Sequence, residues 1–221
     1  RRVFVDCEHF FDGYKHDPDY GVELLKTAFR AGASVGVLCD TNGGMLPMGI
    51  HRVVTDVLAR SGVRLGIHCQ DDTSCAVANT LAAVEAGVTH VQCTANGYGE
   101  RTGNADLFSV VASLELKLGI EALPEGNLRE SKRISHALAD ITNLPPDTHQ
   151  AYVGVSSFAH KAGLHASALK VNESLYSHID PRLVGNDTRI LVTEMAGRAT
   201  VELKGRELGV DIASDLDALA R

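Results

Sequence analysis

The chain of 221 residues carries 28 Asp and Glu against 21 Lys and Arg, a formal net charge of −7 at pH 7. With no cluster of basic residues, it lacks the electrostatic footprint of a protein that binds nucleic acid or an anionic membrane, and no uninterrupted apolar run approaches the roughly 20 residues needed to span a bilayer. Its five cysteines, Cys7, Cys39, Cys69, Cys75 and Cys93, are odd in number and form no C-x-x-C pair, a usage that suits reduced thiols in a cytoplasmic protein better than a disulfide framework or a zinc-thiolate site.

A strand pattern begins at once with RRVFVDCE, over residues 3–7. No starting Met or lead-in precedes it, and the expectation is a truncated amino terminus. A helix follows, opening at Asp17 with Pro18 in the first helical position and Gly32 as its stop. Residues 34–39 form the second strand, TNGG is a turn, and residues 47–60 form a helix that opens on a proline. The third strand spans residues 63–67 and ends at His68, and residues 76–86 repeat apolar side chains at helical spacing until Gly87. Residues 88–94 are the fourth strand and residues 105–118 its helix.

Crossover helices of this kind join parallel strands. The four strands are therefore expected to lie parallel and adjacent in chain order, with the loops that follow them at one edge. Their spacing is roughly 30 residues, and eight such units make the roughly 250 residues of a (β/α)8 barrel. The predicted fold is α/β, the second half of a TIM barrel followed by a helical subdomain. An open doubly wound sheet of four strands is the alternative that periodicity leaves standing. Beyond the fourth unit, residues 128–142 read as a helix and LPPDTHQ as a turn with two prolines. From Ala151 onward come short helical segments, glycine-punctuated loops and a β-branched run at residues 190–193, with no further βα unit. The predicted division is a half-barrel over residues 1–123 and a linker helix with helical subdomain over residues 124–221.

Every strand end carries polar groups: Glu8 after the first, Asp40 and Thr41 after the second, His68 and Gln70 after the third, and Asn96, Glu100, Arg101 and Asn104 after the fourth. In a barrel these loops form one ring, so the groups converge. His68 and Gln70, two positions apart in extended backbone, share a face and can reach one ion. Taken singly, a histidine at a strand end is more often a hydrogen-bonded polar residue than a ligand; four strand ends that all carry polar groups shift that balance. The NGYGERTGN loop, with three glycines, can turn backbone N–H groups toward an anion or serve as a plain turn.

HCQDD, AVANTLAAVEAG and NGYGERTGN, in that order, resemble the signature of the 2-isopropylmalate, homocitrate and citramalate synthases, H-x-H-[ND]-D followed by N-G-x-G-E-R-x-G-N. CEHFFDGYK, LCDTNGGMLP, FAHKAGLHASA and SLYSHIDPRLVG resemble the citramalate synthase branch most, and they extend the resemblance over nearly the whole chain. It implies a metal-dependent acyltransferase performing a Claisen-type condensation of acetyl-CoA with an α-keto acid, pyruvate for this branch, on the way to isoleucine. It also implies a homodimer. The 2-isopropylmalate and homocitrate synthases are the neighbouring alternatives.

Carried over residue by residue, the resemblance makes His68, Gln70 and Asn104 metal ligands and gives catalytic roles to Glu8, His165 and Tyr176. The last two would reach the site from the appendage. Thr41, Glu100 and Arg101 fall on the substrate side. Two departures stand out. The family's aspartate ligand, with its neighbouring arginine, would lie upstream of Arg1, so the fragment alone is expected to be inactive. Gln70 stands where a second ligand histidine is expected, and an amide oxygen is a harder ligand than imidazole, which favours Mg2+ or Mn2+ with Zn2+ as the alternative. Loss of metal binding, in a non-catalytic paralogue, is the competing reading of Gln70.

Overall fold

A computed structural model describes residues 1–161, 163–192 and 198–209. They fall into two compact units, Arg1–Ala122 and Leu123–Arg221. The first runs β1 (Phe4–Cys7), α1 (Phe10–His16), α2 (Pro18–Arg30), β2 (Val35–Asp40), α3 (Pro47–Ser61), β3 (Leu65–Cys69), α4 (Ala76–Glu85), β4 (His90–Gln92) and α5 (Leu107–Lys117). Local chemistry sets these boundaries. Pro18 and Pro47 occupy first-turn positions of α2 and α3, where a missing N–H costs nothing. Asp17 caps α2 by accepting from the N–H groups of Asp19 and Tyr20, both at 3.1 Å. Gly62 ends α3 at φ 67°, in the left-handed region.

The strands pair in parallel in the order β1-β2-β3-β4, as the βαβ spacing predicts. One face of the sheet, with Cys7, Leu38, Leu65, Ile67 and Cys69, joins a single core with side chains from all five helices, among them Phe11, Leu25, Ile50, Ala83 and Val110. The opposite face carries Val35, Val37 and Cys39 as a separate cluster. A doubly wound sheet would have helices on both faces; here they cover one.

Curvature agrees with this. In a flat sheet, three inter-strand steps put β1 and β4 roughly 14 Å apart. Yet Gln92 Nε2 donates to Asp6 Oδ1 at 2.9 Å, and the rings of Phe4 and His90 lie 4.7 Å apart. The sheet therefore curls around the face without helices, as a barrel wall does. Gly66 makes room inside that curve, since a Cβ there would meet His90 Cδ2 at 2.9 Å and Val37 Cγ2 at 3.0 Å.

Several details differ from the sequence reading, among them the fourth strand, which is confined to His90–Gln92 rather than residues 88–94. The helix α1 was not anticipated, because seven residues interrupted by Gly13 show too little periodicity. The third strand also continues through His68 to Cys69.

The second unit contains α6 (Ser131–Thr142), β5 (Ala159–His160), α7 (Gly163–Val171), β6 (Arg189–Ile190) and α8 (Arg198–Glu207). The absence of a further βα unit is corrected here: β5 and β6 pair in parallel, Ala159 with Arg189 and His160 with Ile190, across a connection that includes α7. Two-residue strands carry no readable alternation. Thr193, the end of the β-branched run, lies outside the described residues. Among the described residues no helix is long and apolar enough to cross a membrane.

Candidate active site

The site is built at the carboxyl ends of the four strands, on the curled face. Register places His68 opposite Gln92, whose side chain points across that face to Asp6, so His68 points inward too. Gln70, two residues on, continues the same side. After β1, Glu8 Oε2 accepts from Thr41 Oγ1 at 2.7 Å, and the same hydroxyl oxygen accepts the His9 N–H at 2.8 Å. Thr41, just beyond β2, is thereby fixed against the end of β1. Asp40 is only 3% exposed and accepts from Met45 N–H at 3.1 Å. Burial raises its pKa, and its role is to hold the turn that leads into α3.

The loop after β4 folds back along β3. Asp71 N–H donates to Gly103 O at 2.9 Å and Ala105 N–H to Cys69 O at 3.0 Å, which sets Asn104 beside Gln70 in an antiparallel bridge. The glycines of NGYGERTGN permit this. Gly103 has φ 93°, and a Cβ on it would collide with the Gly97 carbonyl; a Cβ on Gly99 would collide with the Asn104 amide. The Asn104 side chain is oriented by its own bond, Nδ2 donating to Tyr98 O at 2.9 Å. Its Oδ1 is left over.

Among the described residues, eight buried side-chain N or O atoms have no hydrogen-bond partner, and three of them are His68 Nδ1, Gln70 Oε1 and Asn104 Oδ1. Leaving a buried polar atom unmet costs about 1–3 kcal/mol. Three such atoms on adjacent strand ends, all able to accept, are what a cation would satisfy. The described residues hold no group of three His, Cys, Asp or Glu suited to a metal, because this set is one imidazole and two amides. The donor chemistry fits a divalent cation that accepts oxygen ligands.

The two carboxylates after Gln70 are committed elsewhere. Asp71 Oδ1 accepts from Ala76 N–H at 2.8 Å, at the start of α4. Asp72 takes Arg101 in a fork, Nε to Oδ1 at 2.8 Å and Nη2 to Oδ2 at 2.9 Å, and that guanidinium holds its pKa below the usual carboxylate range. Arg101 Nη2 also reaches Thr41 O at 2.8 Å. Glu100 is exposed, and its carbonyl accepts from Gly103 N–H at 2.9 Å.

The profile of the HMGL-like family matches residues 3–138. The chain belongs to the HMGL-like family. A second profile, described as homocitrate synthase post-HMGL domain-like, matches residues 152–218. The (R)-citramalate synthase of Streptomyces coelicolor is 69% identical over 221 residues, all of this chain and 41% of that protein. That of Geobacter sulfurreducens is 46% identical over 212 residues, 96% of this chain and 40% of that one. The chain thus spans about two fifths of the length of these curated relatives. Among solved structures, the HMG-CoA lyase of Bacillus subtilis superposes with a TM-score of 0.53 at 22% identity, over 66% of this chain and 50% of that one, a likeness of fold. The HMGL-like fold here is part of a (β/α) barrel followed by a helical part.

In the second unit of this HMGL-like chain, His165 and Tyr176 stack with ring centroids 4.0 Å apart at 27°. His160, not singled out from the sequence, completes the cluster at 5.8 Å from His165 and 6.5 Å from Tyr176. Burial, and then the neighbouring His165, hold its pKa below the usual histidine value. The pair of histidines in HKAGLH was the available signal. Asp72 was also missed as a partner of Arg101, because 29 residues separate them and no local spacing shows that contact.

Proposed function

We propose that these residues serve a citramalate synthase, an acyltransferase that condenses acetyl-CoA with an α-keto acid, pyruvate first, to give (R)-citramalate and CoA. The observation that carries the reading is the trio of unmet acceptors on His68, Gln70 and Asn104 beside the Glu8–Thr41 pair. The identity to the Streptomyces coelicolor and Geobacter sulfurreducens synthases supports it. His68, Gln70 and Asn104 would hold a divalent ion, Mg2+ or Mn2+ before Zn2+, which when bound supplies polarisation of the keto acid carbonyl.

The chain's own groups supply the rest. Glu8, its carboxylate fixed by the Thr41 hydroxyl, removes a proton from the acetyl methyl or orients the group that does. The carbanion so formed adds to the keto carbon, the resulting alkoxide takes a proton, and water cleaves the thioester to release CoA and the free acid. Thr41 and Glu100 lie on the substrate side. His165 and Tyr176 are assigned catalytic roles as proton-handling groups. Residues 1–123 contribute barrel and residues 124–221 a linker helix and helical subdomain, in a cytoplasmic homodimer that takes acetyl-CoA and keto acid as its small-molecule partners.

The test is CoA release by the full-length protein across a panel of keto acids with each divalent metal. Pyruvate should give the highest kcat/KM, and Glu8→Ala should lower kcat by about 10²–10⁴-fold. Preference for 2-ketoisovalerate or 2-oxoglutarate would move the assignment to the isopropylmalate or homocitrate synthases. Gln70 in a histidine's place favours a second reading, a non-catalytic relative, for which no keto acid would release CoA.

A further inference from the structure

We propose that Arg101 is a positioning residue: a latch that acts through Thr41 to hold the Glu8 carboxylate, rather than a group that binds substrate. The inference rests on the reading of Glu8 as the group at the acetyl methyl and adds the device that fixes it. A guanidinium offers five N–H donors in a planar fork. Arg101 spends three contacts within the protein, two on the Asp72 carboxylate and one on the Thr41 carbonyl. The Thr41 hydroxyl then donates to Glu8 Oε2 and accepts from His9 N–H. One side chain therefore ties the loop after β4 to those after β3 and β2, and through Thr41 to the end of β1. These are the four strand ends that carry the site.

Three further observations support a built latch. Arg101 itself sits at φ 56°, a left-handed conformation that a side chain other than glycine adopts at some cost. Gly43, in the turn after Thr41, has φ 61° and leaves no room for a Cβ, which would meet Asp72 N at 2.8 Å; the two loops are in close contact where the fork forms. The pair is also exposed, with 43% of the Arg101 side chain and 26% of the Asp72 side chain accessible. Ion pairs so exposed add little to stability, so the contact matters for where it places Thr41. In proximity catalysis a misplacement of about 1 Å costs roughly 10²-fold in rate.

The experiment compares wild type, Arg101→Ala, Arg101→Lys, Asp72→Ala, Asp72→Asn and the Arg101→Ala/Asp72→Ala double variant in the full-length protein. Two readouts are used: steady-state CoA release and hydrogen exchange at the His9 amide. A latch predicts that each Ala variant lowers kcat by about 10²-fold while KM for acetyl-CoA and keto acid stays within about threefold. The double variant should be no worse than the singles, and Arg101→Lys should not rescue, since a point charge cannot span both Asp72 and Thr41 O. Asp72→Asn, which preserves shape, should change both readouts in the same direction even if Asp72→Ala folds poorly. His9 exchange should rise about tenfold in both Ala variants, and this readout needs no turnover: should wild type release no CoA, faster His9 exchange still supports the latch while the synthase reading fails. The latch is overturned by Asp72 variants that match wild type in kcat and in His9 exchange, or by an Arg101→Ala defect confined to KM.

Discussion

Gly99 and Asn104 are set so close that the first has no room for a side chain. Asn104 keeps its Oδ1 unmet only while its Nδ2 remains on Tyr98 O, so a methyl group at Gly99 should turn the amide out of place. Gly99→Ala in the full-length protein is expected to weaken divalent-metal binding at least tenfold, or about 1.4 kcal/mol, in a competition titration. Gly13→Ala, where a Cβ meets nothing within 4 Å on α1, should leave metal binding unchanged and be neutral or slightly stabilising. Gln70 offers the converse substitution. An imidazole at that position is a softer ligand than the amide, so Gln70→His should tighten Zn2+ relative to Mg2+ by about tenfold or more, whereas His68→Ala should abolish binding of both. Because a ligand that binds only the folded state stabilises it by RT ln(1 + [L]/Kd), thermal unfolding with and without EDTA reports the same ranking without any turnover. Gln70→His that changes neither metal affinity nor the EDTA shift would remove Gln70 from the ligand set.

At the scale of elements, helix ends and helix-to-helix ties decide the local stability. Asp106 accepts from Phe108 N–H at 3.3 Å and Ser109 N–H at 3.1 Å, and also from the Ser109 hydroxyl at 2.7 Å. Asp106→Ala should cost about 1–2 kcal/mol in urea unfolding. The tie between α1 and α3 predicts a pH effect. Asp56 has its pKa lowered first by the Tyr14 hydroxyl and then by Arg60. A carboxyl depressed in the folded state contributes stability that is present above its unfolded pKa of about 3.9. That stability is lost as pH falls through the lower folded value. Asp56→Asn should therefore flatten the acid limb of the stability curve and leave the slope near pH 7 unchanged.

These elements also show what the sequence made legible. Short apolar runs, helical spacing and glycine stops were enough to place four parallel strands in order, because a helix follows each strand, the long amphipathic α2 and α3 most clearly. A helix of seven residues, such as α1, spans only about two turns, and a strand of two, such as β5, a single alternation, too few repeats for a period to be read. The candidate ligands were named by a motif, whereas their unmet acceptors are a fact of burial that no spacing encodes. Asp72 reads from the sequence as one of two adjacent acids, and only the fold sets it against Arg101.

At the largest scale, the decisive feature is a sheet whose outer strands β1 and β4 each have one partner among the described residues. A closed barrel of this class has eight strands, and its interior is filled by layers contributed from all of them. Here the inner face carries Phe4, 40% exposed, and neighbouring Val3 is 54% exposed. Unpaired strand edges of this kind template association with other chains. The polypeptide of residues 1–221, purified alone, is therefore expected to self-associate with increasing concentration in sedimentation, and lysine at Phe4 should reduce that association. The same openness bears on catalysis, because half of a barrel wall neither excludes water nor holds two substrates in register. The isolated polypeptide should consequently release no CoA from acetyl-CoA and pyruvate at any metal concentration, while retaining the His9 amide protection that the Thr41 hydroxyl confers. Steady CoA release from this polypeptide, abolished by Glu8→Ala, would mean that four strands already complete the pocket, and the requirement for a closed barrel would fall with it.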